Sequence, residues 1–175
     1  QQKIHPLLQR EAARYFERLA ARAGKSAADW ARHMAEALYH RFHLEGIRAA
    51  KHWRKALASP RAADPAVSAR IAEVPLSSDF VGDSGRPVEY PGGALVDYDL
   101  LAEAASVQAW GLLVERLRLR SFEGDAERLA GEFSDAYRRF RSFHRRAKEP
   151  RVSAARASVL EAAHLLVQER RDAAE

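Results

Sequence analysis

The chain has 175 residues, 47% hydrophobic and 30% charged, with a formal net charge of +5. That balance supports a hydrophobic core and excludes the low-hydrophobicity, single-sign composition of a disordered chain, while the length leaves no room for a second full domain. The absence of cysteine excludes disulfides and thiolate metal sites, and no apolar run reaches the roughly 18 to 20 residues of a membrane span. The first twenty residues are amphipathic and charged rather than signal-like, so a cytoplasmic protein with no membrane contact is expected.

Ala, Leu, Arg and Glu, all good helix formers, dominate the chain. The expected fold is all-α, a single-domain bundle of five or six helices spanning 1–175. Within it, 1–58 forms a basic helical half, 59–96 an irregular Pro/Gly-rich stretch and 97–175 a second helical half. The first helix is expected from Pro6 to Gly24, with Leu8, Ala12, Tyr15 or Phe16 and Leu19 inward. Ser26 caps the second, whose Trp30, Met34, Leu38 and Phe42 form a row at four-residue spacing. That row loses phase near Gly46, which predicts a bend or break at 44–46 before Ile47, Ala50, Trp53 and Leu57 resume it.

From Ser59 to Val96 the texture changes, with Pro60, Pro65, Pro75, Pro87 and Pro91 joined by Gly82, Gly85, Gly92 and Gly93. Residues 66–73 still read as helix. The crossover at about 74–96 has room for a short hairpin pairing Phe80 and Val81 with Val88 and Tyr90 across Asp83–Arg86. An irregular segment this long inside a compact domain is uncommon and is often functional or ordered by a partner, so 76–95 is also the expected site of first proteolysis. Asp97 or Asp99 then caps a helix at 97–120 that is apolar on nearly every side and is expected to be the most buried. Its Trp110 should cost about 3 to 5 kcal/mol on truncation to Ala. A following helix restarts at Asp125 with Leu129, Phe133, Ala136, Phe140 and Phe143 on one face. The last begins at Pro150, with Val152, Ala155, Val159, Ala163 and Leu166 as its packing row.

The modest net charge hides a segregated pattern: +7 over residues 1–60, −2 over 61–96, −5 over 97–136, +7 over 137–160 and −2 over 161–175. The sharper basic block is Tyr137–Lys148, where Arg138, Arg139, Arg141, Arg145 and Arg146 point away from the apolar face. The other places Arg41, Arg48, Lys51, His52 and Lys55 along the second helix. Clustered guanidinium groups suit phosphate, which they bind bidentately, so the leading expectation is a non-enzymatic accessory subunit. It would bind nucleic-acid backbone through Arg138, Arg139, Arg141, Arg145, Arg146, Arg41, Arg48, Lys51 and Lys55, within a larger assembly. Two structural alternatives compete with it: neutralisation of these blocks by the acidic 97–136 stretch, and a protein-interaction module in which the same arginines meet an acidic protein. A protein partner or homo-oligomer is expected in either case.

His33, Glu36, His40 and His43 line one strip of the second helix, and Glu161 and His164 form one E-x-x-H. A carboxylate-bridged metal site needs that motif twice, with two further Glu, so a metal-dependent enzyme is the weakest alternative and no cofactor is expected. The hexapeptide Gly82-Asp83-Ser84-Gly85-Arg86-Pro87 resembles the nucleophile motif of chymotrypsin-like proteases, with Arg where that family has Gly. The remainder of that family's pattern is absent, and a turn accounts for the residues. Arg138 or Arg139 with His144 has the spacing of HEPN-type ribonucleases without the polar residue that follows the Arg. Neither phosphate-binding glycine loop motif occurs.

Overall fold

A computed structural model describes residues 4–118 and 123–172. The chain is all-α, with one two-stranded antiparallel pair among the described residues. It forms two compact units, Gln1–Asp97 and Tyr98–Glu175. The division lies one residue past the end of the expected crossover, whereas the expected division at 58/59 falls inside the first unit.

In the first unit, α1 (Ile4–Arg22) lies along α2 (Ala27–Glu45). The turn between them uses Gly24 at φ +57°, and Ser26 caps α2 as expected, its Oγ accepting the Asp29 N–H at 3.2 Å. Trp30, Leu38 and Phe42 are buried, with Ala31 and Ala37 beside them. On α1 the fully buried residues are Ala13 and Ala20; of the expected row, Ala12, Phe16 and Leu19 are half-buried, while Leu8 and Tyr15 are exposed. Phe16 meets α2, where the His40 ring stacks on it with centroids 5.7 Å apart.

Of the expected bend or break, the chain takes the break. Gly46 adopts φ +58°, its N–H returns to the Phe42 carbonyl, and a 3-10 turn (Gly46–Ala49) leads into α3 (Ala50–Leu57). Only glycine takes that conformation without strain. Ala50, Trp53 and Ala56 are buried, whereas Ile47 is exposed. Trp53 is fully enclosed and donates its indole N–H to the Ile71 carbonyl at 2.9 Å, which ties α3 to α4 (Pro65–Ala72). Pro65 at the first position and the Asp64 carboxylate, accepting the Ala66 N–H at 2.8 Å, start that helix.

The crossover is ordered by the chain's own second helix. Phe80 is buried with its ring 5.0 to 5.6 Å from those of His43, Tyr39 and Phe42. Tyr39 and Tyr90 hydroxyls donate to the Asp79 carboxylate and carbonyl at 2.5 and 2.6 Å. The expected hairpin is half present: Val81 bridges to Pro87, and the Val88 N–H reaches the Phe80 carbonyl at 2.9 Å. Tyr90 pairs elsewhere. It lies in β1 (Glu89–Tyr90), opposite Gly93 in β2 (Gly93–Ala94), because Gly92 and Gly93 at φ +126° and +101° permit a second tight turn.

In the second unit, α5 (Tyr98–Arg118) packs along α6 (Glu123–His144), and α7 (Ala154–Asp172) packs against both. Leu100, Leu101, Ala102, Ala104, Ala105, Ser106, Ala109, Gly111 and Leu113 are buried, as an all-apolar helix requires. The last two residues of the expected 97–120 helix lie outside the described residues. Trp110 is half-buried, with the Arg156 guanidinium 6.0 Å over its ring, whereas Trp53 is fully enclosed, so the larger truncation cost is expected at Trp53. On α6 the expected row is buried in full, joined by Tyr137. Asp99 is spent on a clamp rather than on a cap, since its Oδ1 accepts the N–H groups of Lys148 and Glu149 at 2.7 and 3.0 Å.

The last helix departs from expectation twice. It starts at Ala154, not Pro150, where the Ser153 hydroxyl accepts the Arg156 N–H at 3.2 Å. Its buried row is Leu160, His164 and Val167; of the expected row, Ala155, Val159 and Leu166 are exposed and Val152 and Ala163 are half-buried.

Candidate nucleic-acid interface

The α6 sequence separates its charges along and around the helix. Asp125, Glu127, Glu132 and Asp135 precede Arg138, Arg139 and Arg141, an order that complements the helix dipole. Around the axis, the buried Phe133, Ala136, Phe140 and Phe143 leave Arg138, Arg139 and Arg141 exposed, and the turn that follows the helix carries the exposed Arg145 and Arg146.

Their engagements are light. Arg138 pairs with Asp135 at 2.6 Å, both about two-thirds exposed, a contact worth about 0 to 1 kcal/mol. Arg139 donates to the Gln108 side chain at 3.1 Å, and Arg146 lies over Tyr98, 5.5 Å from the ring centre. The side chains of Arg141 and Arg145 make no hydrogen bond or ion pair among the described residues. Of the neighbouring acidic stretch, Asp135 meets Arg138, while Asp99 binds backbone and Glu132 pairs with Arg128 at 2.6 Å. The support residues Tyr98 and Gln108 were not singled out from the sequence, because they act across helices and carry no local signal.

Beneath this face, the buried His164 ring stacks on Tyr137 with centroids 4.4 Å apart, and its Nδ1 has no partner among the described residues. Burial first, then the positive charges of Arg138 and Arg141, hold its pKa below the ordinary histidine value. That shift favours the neutral ring and leaves the positive field to the arginines.

The block in the first unit divides. Arg48 on the 3-10 turn and Lys51 and Lys55 on α3 recur at i, i+3 and i+7, exposed and without an ion pair among the described residues. Arg41 is turned inward. Its guanidinium meets Glu17 of α1 at 2.6 Å and Glu45 at 2.7 Å, with only 22% of the side chain exposed, so it clamps α1 to α2.

The histidine strip serves packing. His40 Nδ1 lies 2.6 Å from the Gln9 side-chain oxygen, His33 and His40 flank Phe16, and His43 sits among Tyr39, Phe80 and Tyr90. Glu36 and Glu161 are exposed. Among the described residues no three His, Asp or Glu side chains come together to hold a metal ion. Ser84 is exposed in the Gly82–Gly85 turn, and the His144 ring lies 5.3 Å from that of Phe140 in the last turn of α6.

Fold and surface together define an all-α protein whose second unit presents an arginine face. No family model, no curated protein and no solved structure matches the chain. No described helix is long and apolar enough to cross a membrane.

Proposed function

We propose that this chain is a non-enzymatic, cytoplasmic accessory subunit that binds the phosphate backbone of nucleic acid within a larger assembly. The observation that carries the reading is the exposed C-terminal end of α6 and the turn after it, where the side chains of Arg141 and Arg145 have no ion pair among the described residues and Arg138 and Arg139 hold only weak, displaceable contacts. Planar guanidinium groups held on a helix are preorganised for phosphate oxygens, and a helix face without aromatic or amide groups for base edges binds with little sequence preference. Arg48, Lys51 and Lys55 form a second, smaller contact; Arg41 contributes through the stability of the first unit.

The test is binding of a mixed-sequence oligonucleotide at several salt concentrations. Each neutralised phosphate releases counterion, so the logarithm of affinity should fall linearly with the logarithm of salt. Arg141→Ala and Arg145→Ala should each flatten the slope by about 0.7 to 0.9, the lower value for single strands. Absence of binding near about 50 mM salt, or equal slopes for parent and variants, would reject the reading. It would leave the protein-interaction alternative, which the exposed apolar residues of α7 favour.

A further inference from the structure

The outward face of α7 has a pattern of its own. On α7, Ala155, Val159, Ala162, Leu166 and Glu169 follow alternating spacings of four and three, the repeat of a helix-pairing seam, with the half-buried Val152 in phase just before the helix starts. Ala155, Val159, Ala162, Leu166 and Glu169 are exposed, with Val159 at 46% and Leu166 at 62%, and Leu165 beside them at 53%. The opposite row of Leu160, His164 and Val167 already serves the packing against α5 and α6. This second row therefore has no part in the unit's own core.

We propose that this face pairs with the same face of a second copy of the chain, the two α7 helices running antiparallel. In an antiparallel seam, the first and fourth positions of each repeat meet each other across the pair. Ala155 then lies opposite Leu166 of the second copy, Val159 opposite Ala162, and Glu169 beyond the first turn of the other helix. In the two apolar layers a small residue meets a larger one, so the seam closes without voids or overlap. A parallel pair would instead stack Leu on Leu and Ala on Ala. Every large residue thus finds its small complement on an identical helix, as a twofold contact requires.

Charge favours the same arrangement. Glu169 stands in the last turn of its own helix, where the dipole disfavours an acid. In the antiparallel pair it reaches the positive start of the other α7, next to the exposed Arg151, which has no ion pair among the described residues. One helix face is a small interface, so the dimer is weak, with Kd on the order of micromolar.

Sedimentation velocity on the 175-residue chain, without nucleic acid and from low to high micromolar concentration, tests this independently of the proposed function. The parent should pass from monomer to dimer, and Leu166→Glu should weaken the dimer about a hundredfold with its helical circular dichroism unchanged. Glu169→Arg should weaken it about threefold to tenfold, and adding Arg151→Glu should restore it. Because the chain has no cysteine, disulfide linkage reports register directly. Ala155→Cys with Leu166→Cys should join two copies, whereas Leu166→Cys alone should not. A parent that stays monomeric, a dimer that survives Leu166→Glu, a charge reversal that is not rescued, or linkage through Leu166→Cys alone would each overturn the proposal.

Discussion

The two units dispose of their polar side chains in opposite ways. In residues 4–97, Arg41 is held by Glu17 and Glu45, Tyr39 by Asp79, His40 by Gln9, and Arg61 by the Ala20 carbonyl at 3.2 Å. These contacts join segments distant in sequence, so the polar residues are part of what holds the unit together. In residues 98–172 the packing is done by Leu, Ala and Phe, and most of the arginines face water. Two blocks of equal charge thus have different consequences. An arginine with acids one turn away and on the facing helix becomes a clamp, and one without them stays available to a ligand.

The largest effect that could break this comparison concerns the aromatic anchors. Trp53→Ala should cost about 3 to 5 kcal/mol, because it empties a fully enclosed site and orphans the Ile71 carbonyl. Trp110→Ala should cost about 1 to 2 kcal/mol, since the ring is only half-buried. Denaturant titration of both variants measures the difference, and equal losses would show that the second unit depends on its half-buried aromatic as much as the first does on its enclosed one.

A smaller effect separates the arginines themselves. Arg41→Ala removes the shared partner of two partly buried carboxylates and should cost about 1 to 2 kcal/mol, between the values for surface and buried pairs. Arg141→Ala should change stability by less than about 0.5 kcal/mol. On the oligonucleotide salt slope the order should invert, with Arg141→Ala altering it and Arg41→Ala leaving it as in the parent. Tyr39→Phe is milder, about 1 kcal/mol for one lost hydrogen bond to Asp79. That same bond pushes the Tyr39 phenol up to about 12, so it should stay out of the ordinary phenol titration followed by ultraviolet absorbance.

The smallest effect per group is the response to acid. Burial holds the pKa of His40, His43 and His52 in the first unit, and of His164 in the second, below the ordinary value of 6.5. The unfolded chain therefore binds protons more readily, so stability is full above about pH 6.5 and declines as pH falls toward the lowered folded values. Thermal midpoints at pH 7.5 and 5.0 should show this decline, and His164→Gln should lessen it. A midpoint that rises on acidification would contradict the burial of these rings.

Helix existence, the Ser26 cap, the break at Gly46 and the α6 row were legible in the sequence because each rests on neighbours within one or two turns. The buried strips of α1 and α7 were not. Both helices carry apolar residues on adjacent strips, Leu8 and Tyr15 beside Ala13 and Phe16, Val159 and Leu166 beside Leu160 and Val167. A shift of one residue satisfies the same periodicity, so a partner helix must choose between them.

The arginine face was readable as charge, yet its availability was not. Whether Arg41 or Arg141 is occupied depends on acids brought near by folding, Glu17 being 24 positions away in sequence. The amino-acid sequence by itself determined an all-α chain, the positions of most helix ends and the segregation of its charge, since these follow from local propensity, capping and composition. The tertiary structure alone decided which strip of α7 is buried, which arginines are clamps and which remain open, and that the crossover is anchored on α2. Those outcomes are set by contacts between segments that no local pattern encodes.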